Sequence, residues 1–92
     1  MIIRILGIGQ FRLDDQHIDS LNKIDNKIVE QVSKGKEKEF RKSLAKIISM
    51  IQEKGEPVDP AEIFPSDIIV PPADMTMEEA KKVFSGDGLI KG

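Results

Sequence analysis

The sequence predicts an α+β fold: an N-terminal β-hairpin plus one or two short C-terminal strands forming a small sheet, covered on one face by a long antiparallel helical hairpin, with a short third helix. Three observations carry that expectation. Residues 1–13 hold two short strand-like runs around Gly7-Ile8-Gly9. Residues 13–55 hold two apolar stripes at helical spacing, each followed by a glycine. Beyond residue 55 the chain becomes proline-rich, with room only for short elements.

The first six residues are isoleucine-rich, and residues 10–13 alternate polar and apolar. A three-residue loop at 7–9 then sets Ile5 opposite Phe11 and Ile3 opposite Leu13 on the core side, whereas a two-residue loop would pair apolar with polar residues. The same register sets Arg4 opposite Arg12 on the other face, a like-charge pair that destabilises mildly unless an anion or acidic group lies over it. The two glycines also invite a dinucleotide-binding reading. It fails in detail, because Arg12 stands where G-x-G-x-x-G needs its third glycine and the turn leads into a strand pattern.

Asp14 is placed to cap the first helix, with Leu13 and Ile18 as a hydrophobic staple across the cap. The pattern predicts helices over residues 15–34 and 36–54, the first about 30 Å long, with Gly35 and then Gly55 supplying left-handed terminating residues. Their stripes are Ile18, Leu21, Ile24, Ile28, Val29 and Val32, then Phe40, Leu44, Ile47, Ile48 and Ile51. At about 1.5 to 3 kcal/mol each, these side chains represent roughly 15 to 30 kcal/mol of gross burial before ordering entropy is subtracted. The two helices must therefore pack together and be covered by the rest of the chain.

Residues 56–66, with Pro57, Pro60 and Pro65, form the main loop. Within it Asp59-Pro60-Ala61-Glu62 has the form of a capped single turn that delivers Ile63 and Phe64 to the surface needing cover. Residues 67–70 are a strand candidate at a sheet edge, ended by Pro71-Pro72. Thr76-Met77-Glu78-Glu79 is a capping box, opening a helix of about nine residues that ends at Gly86. Leu89-Ile90 is a candidate last strand.

Ninety-two residues suit one domain with one core, since chains of this size bury only about 60 to 70% of their unfolded surface. Cysteine is absent, which excludes disulfides and thiolate chemistry and makes the reducing cytoplasm the expected compartment. The longest apolar runs fall far short of a membrane span, and no basic-then-apolar leader opens the chain, so a soluble, unexported protein is expected. Charge is uneven: +1 over residues 1–14, +2 over 15–54 and −5 over 55–92. Lys34, Lys36, Lys38, Arg41, Lys42 and Lys46 concentrate at the hairpin turn. They read either as a solvated helix face or as a docking patch for an acidic partner or anionic lipid.

Catalytic signatures are scarce. His17 is the single histidine, amid Asp14, Asp15 and Asp19. That cluster suits capping and solvation, or a weak metal or ligand site without H-x-x-x-H or EF-hand spacing. No serine lies in G-x-S-x-G, and no spare histidine exists to activate one. Tryptophan and tyrosine are absent, leaving nucleic acid without its usual stacking surface. A non-enzymatic protein without a cofactor is expected, with interaction candidates Arg4, Arg12 and the six hairpin cations.

The opening Met1-Ile2-Ile3-Arg4-Ile5-Leu6-Gly7-Ile8-Gly9-Gln10-Phe11-Arg12-Leu13-Asp14-Asp15 is one of two distinctive stretches. The other is Pro65-Ser66-Asp67-Ile68-Ile69-Val70-Pro71-Pro72-Ala73-Asp74, followed by Thr76, Glu78-Glu79 and Gly86-Asp87-Gly88-Leu89-Ile90. With these residues the chain resembles the PspAA family, small proteins associated with phage-shock protein A in archaea and actinobacteria. The resemblance spans nearly the whole chain. It implies a non-enzymatic accessory of a membrane-stress system, cytoplasmic and peripheral to membrane through a coiled-coil, membrane-remodelling partner. It brings no catalytic or ligand residues with it. Two other readings stand beside it: a small-ligand or metal-binding domain around His17, and direct anionic-lipid binding by the basic hairpin tip.

Overall fold

The computed structural model describes residues 1–62 and 64–84. Strands β1 (Ile2–Ile5) and β2 (Gly9–Arg12) form the N-terminal hairpin, and a single 3-10 turn (Asp15–His17) leads into helix α1 (Ile18–Ser33). Helix α2 (Glu37–Lys54) returns, followed by the two-residue strand β3 (Glu56–Pro57), strand β4 (Ile68–Val70) and helix α3 (Met77–Val83). The four strands make one mixed sheet in the order β3-β2-β1-β4, antiparallel except for the β1–β4 pair. This is the α+β architecture the sequence implies. Strand β3 lies where only loop was expected, and the candidate strand at Leu89-Ile90 and the helix stop at Gly86 lie outside the described residues.

Ile3 and Ile5 from β1, Phe11 from β2, and Ile68 and Val70 from β4 share the inner face. They join Leu21, Ile24, Ile28 and Val32 of α1 and Phe40, Leu44, Ile47, Ile48 and Ile51 of α2 in one buried cluster. Phe40 meets Phe84 edge to face at 5.9 Å and 72°, which anchors the end of α3 beside the two helices. Asp25, on the same ridge of α1 as Leu21 and Ile28, is also fully buried.

The hairpin register corrects the sequence reading. Ile3 pairs with Phe11, Arg4 with Gln10 and Ile2 with Arg12, so the two arginines do not face one another and Ile5 meets Gly9 rather than Phe11. Both registers keep odd residues on one face, so alternation alone could not separate them. Turn chemistry decides: the loop is Leu6-Gly7-Ile8, closed by the Ile8 amide donating to the Ile5 carbonyl at 3.0 Å. Gly7, at the third position of that turn, takes φ +85°, as a type II turn requires.

The helix ends divide two ways. Gly35 has φ +70°, and the Lys36 and Gly35 amides donate to the Gln31 and Val32 carbonyls at 2.9 and 3.1 Å, the left-handed stop expected. Gly55 does not use that device. Its φ is −87° and its ψ 161°, and glycine is required there for space: a Cβ would lie 2.6 Å from the Ile51 carbonyl oxygen and 3.2 Å from Phe11 Cβ. Asp14 caps as expected, accepting from the Gln16 amide at 3.0 Å, but the turn it caps is 3-10, so α1 proper begins at Ile18. Thr76 and Glu79 form the reciprocal capping box of α3. Asp59 accepts from the Ala61 amide at 2.9 Å and its carbonyl from the Glu62 amide at 2.9 Å, the capped single turn expected.

Candidate docking surfaces

The hairpin cations are brought together as the sequence suggested. The α1–α2 turn exposes Lys34, Lys36, Lys38, Arg41 and Lys42, and Lys46 continues the line of Lys38 and Lys42 at steps of four along α2. Two of the six are already committed: Lys34 Nζ lies 2.6 Å from Glu30 Oε1, and Arg41 lies 3.2 Å from Glu37 Oε1. The Lys34 hydrogen bond and then its charge hold the Glu30 carboxyl below its ordinary value against a smaller opposing effect of desolvation, with the Lys36 charge a lesser contribution still. Lys36, Lys38, Lys42 and Lys46 make no ion pair among the described residues. The surface thus presents four ammonium groups outside any ion pair among the described residues, three on α2 and Lys36 at its N-cap.

The outer face of the sheet separates the two arginines instead of joining them. Arg12 stacks over the Phe64 ring at 5.5 Å. Beside it, the buried Gln10 side-chain amide donates to the Phe64 carbonyl at 2.7 Å and the Ser66 hydroxyl at 2.8 Å. Asp67 then exchanges two hydrogen bonds with the Ile2 backbone, each 2.8 Å. Residues 58–62 and 64–67 are therefore fastened across the outer face from the β3 edge to the β4 edge, over its Arg12 end. Arg4 stays exposed beside Ile69.

Near His17 the structure has an open groove of about 540 Å³, lined by Arg12, Asp14, Asp15, His17, Lys54 and Glu56 among others. Asp14 is occupied with capping, and His17 is half-buried with its ring 3.5 Å from the Gln16 amide nitrogen. No three histidine or carboxylate side chains converge on a metal position among the described residues.

Sequence reasoning missed Gln10, Phe64 and Asp67 as the fasteners of the crossover. It also missed that Leu6, Ile8 and Ile69 are exposed. A signal existed for Ile69: in the run Ile68-Ile69-Val70 the outward position of an edge strand carries an isoleucine where a polar residue is usual.

Fold and surfaces together define a small α+β protein whose polar and apolar features lie on its exterior. No helix of the described residues is long and apolar enough to cross a membrane. The chain belongs to the PspAA family, described as PspA-associated protein, whose family model matches residues 1–92. No curated protein and no solved structure matches it.

Proposed function

We propose that this chain is a non-enzymatic adaptor of a PspA-type membrane-stress response. It docks through the basic face of its helical hairpin onto acidic faces of the coiled-coil PspA and is held at the membrane through that partner. The observation that carries the reading is the family membership, with Lys36, Lys38, Lys42 and Lys46 supplying its physical means. Ammonium groups on a helix attract carboxylate-rich helix faces, steer the encounter and make it salt-sensitive. Four charge reversals, Lys36→Glu, Lys38→Glu, Lys42→Glu and Lys46→Glu, test it in a binding titration against purified PspA. Loss of binding and of its salt dependence, with unchanged circular dichroism, is expected. Undiminished binding removes the hairpin from the interface. The same lysines attract anionic lipid, so vesicle flotation without PspA separates direct membrane binding from adaptor action.

A further inference from the structure

The sheet's outer face carries a different kind of surface. Leu6, Ile8 and Ile69 are the large apolar side chains exposed among the described residues, at 44, 52 and 52%, and each neighbours Arg4 in sequence, strand register or groove. Ile69 is paired with Arg4 across β1 and β4, and the Leu6 amide donates to the Val70 carbonyl at 3.0 Å. Ile8 and Arg4 line one groove of about 420 Å³ with Val58, Asp59 and Glu62. The crossover loop covers Arg12 and Gln10 on this face and borders Arg4 through Val58, Asp59 and Glu62, leaving the Arg4 side chain itself exposed. Arg4 makes no ion pair among the described residues.

We propose that the surface around Arg4 docks an amphipathic helix from a partner protein. The helix sets a carboxylate on Arg4, turns a cation toward Asp59 and Glu62, and lays its apolar stripe on Leu6, Ile8 and Ile69. Charge complementarity selects that occupant. An anionic membrane would satisfy Arg4 and the apolar residues but would be repelled by Asp59 and Glu62. An added strand would find only the three residues of β4 before Pro71-Pro72, too short a ladder to hold it. Because the helical hairpin covers the opposite face of the sheet, this surface is separate from the basic tip and does not rest on the hairpin reading.

The test uses the isotope-labelled full chain and three probes. These are a designed helical peptide with a leucine stripe bearing one glutamate and one lysine a turn away, the same peptide with that glutamate made lysine, and vesicles of anionic phospholipid. Amide shifts at residues 4–8 and 69 are expected with the first peptide, with affinity about tenfold lower for the second. Arg4→Glu should reverse that preference, and Ile8→Ser and Ile69→Ser should each weaken the first peptide. The four-lysine hairpin variant should keep the shifts, so a failure of PspA docking and a failure of this surface are read separately. Equal binding of both peptides, shifts at the hairpin instead, or shifts with vesicles alone would overturn the proposal. So would concentration-dependent shifts at residues 4–8 without peptide, which would make a second copy the occupant.

Discussion

Gly55 and Gly35 both follow helices, yet the structure gives them opposite reasons to be glycine, and a pair of substitutions separates those reasons. At Gly55 the backbone is extended, a conformation any residue adopts, but a Cβ would stand 2.6 Å from the Ile51 carbonyl oxygen, 3.2 Å from Phe11 Cβ and 3.4 Å from the Arg12 carbonyl oxygen. Two of these three are backbone atoms, so relief requires the last turn of α2, from Ile51 to Gly55, to open and its end to shift from β2. Forced shifts of that kind cost about 1 to 3 kcal/mol. At roughly 4 to 8 °C per kcal/mol for a domain of this size, Gly55→Ala should lower Tm by about 4 to 24 °C. At Gly35 nothing lies within 4 Å of the added carbon, but φ is +70°. Gly35→Ala should therefore cost about 1 to 2 kcal/mol in backbone strain, much of it recovered by Gly35→Asn. Asparagine at Gly55 should recover nothing, since its Cβ meets the same oxygen. Thermal unfolding followed by far-ultraviolet circular dichroism reads all four variants. A Gly55→Ala protein as stable as the parent, or rescue of Gly55 by asparagine, would refute the steric account.

Gln10→Ala removes both side-chain hydrogen bonds from Gln10 to the crossover loop and should cost about 1 to 3 kcal/mol, with hydrogen exchange accelerating at Ser66 and Asp67 before the helices are affected. Phe40→Ala, at a fully buried position against Phe84, should cost about 3 to 5 kcal/mol by urea denaturation. The Glu30 carboxyl is held low in the folded chain, so its linkage favours folding above its unfolded pKa and that contribution is lost as pH falls through the folded pKa. A carboxyl titration by NMR should show Lys34→Ala returning Glu30 toward its ordinary value, with Lys36→Ala having the smaller effect.

The helical hairpin was legible because its apolar stripes each have one period and one face, and all five stripe residues of α2 are buried. The sheet was legible in its strands but not in its register. Odd and even faces are the same whether Ile3 meets Phe11 or Leu13, and what decides is which of two glycines, both at positive φ, takes the third position of the turn closed between Ile5 and Ile8. Gly55 was misread because a glycine after a helix has two physical causes with one sequence signature. Asp25 is instructive in another way: its ridge between Leu21 and Ile28 marks the position as inward, while its residue type argues outward, and position wins. The hairpin cations were legible as a cluster because exposed helix positions need no tertiary information. Which of them are committed to Glu30 and Glu37 follows from steps of four that the sequence also contains. The outer sheet face was not legible, because it depends on where the crossover loop stops, and that is set by Gln10 reaching Phe64 and Ser66 across more than fifty residues of chain.

That arrangement has an energetic consequence for any partner large enough to touch both sides. The helical layer and the outer sheet face are separated by the core cluster, so charge reversal of the hairpin lysines and Arg4→Glu share no partners and should perturb binding independently. If one coiled-coil molecule engages only the basic hairpin, Arg4→Glu changes nothing in its titration and the double variant equals the hairpin variant. If an amphipathic helix of the same molecule also reaches the sheet face, the second contact is intramolecular, and its effective concentration multiplies affinity beyond either site alone. The Arg4→Glu loss should then appear at unchanged stoichiometry and be no smaller once the hairpin is reversed, because the sheet-face contact is then the one that remains. A double-variant cycle in PspA binding reads that coupling directly. A parent that takes up two PspA equivalents, one of which is lost with each variant, would mean that the surfaces bind separate molecules, making the chain a bridge between partners rather than a clamp on one.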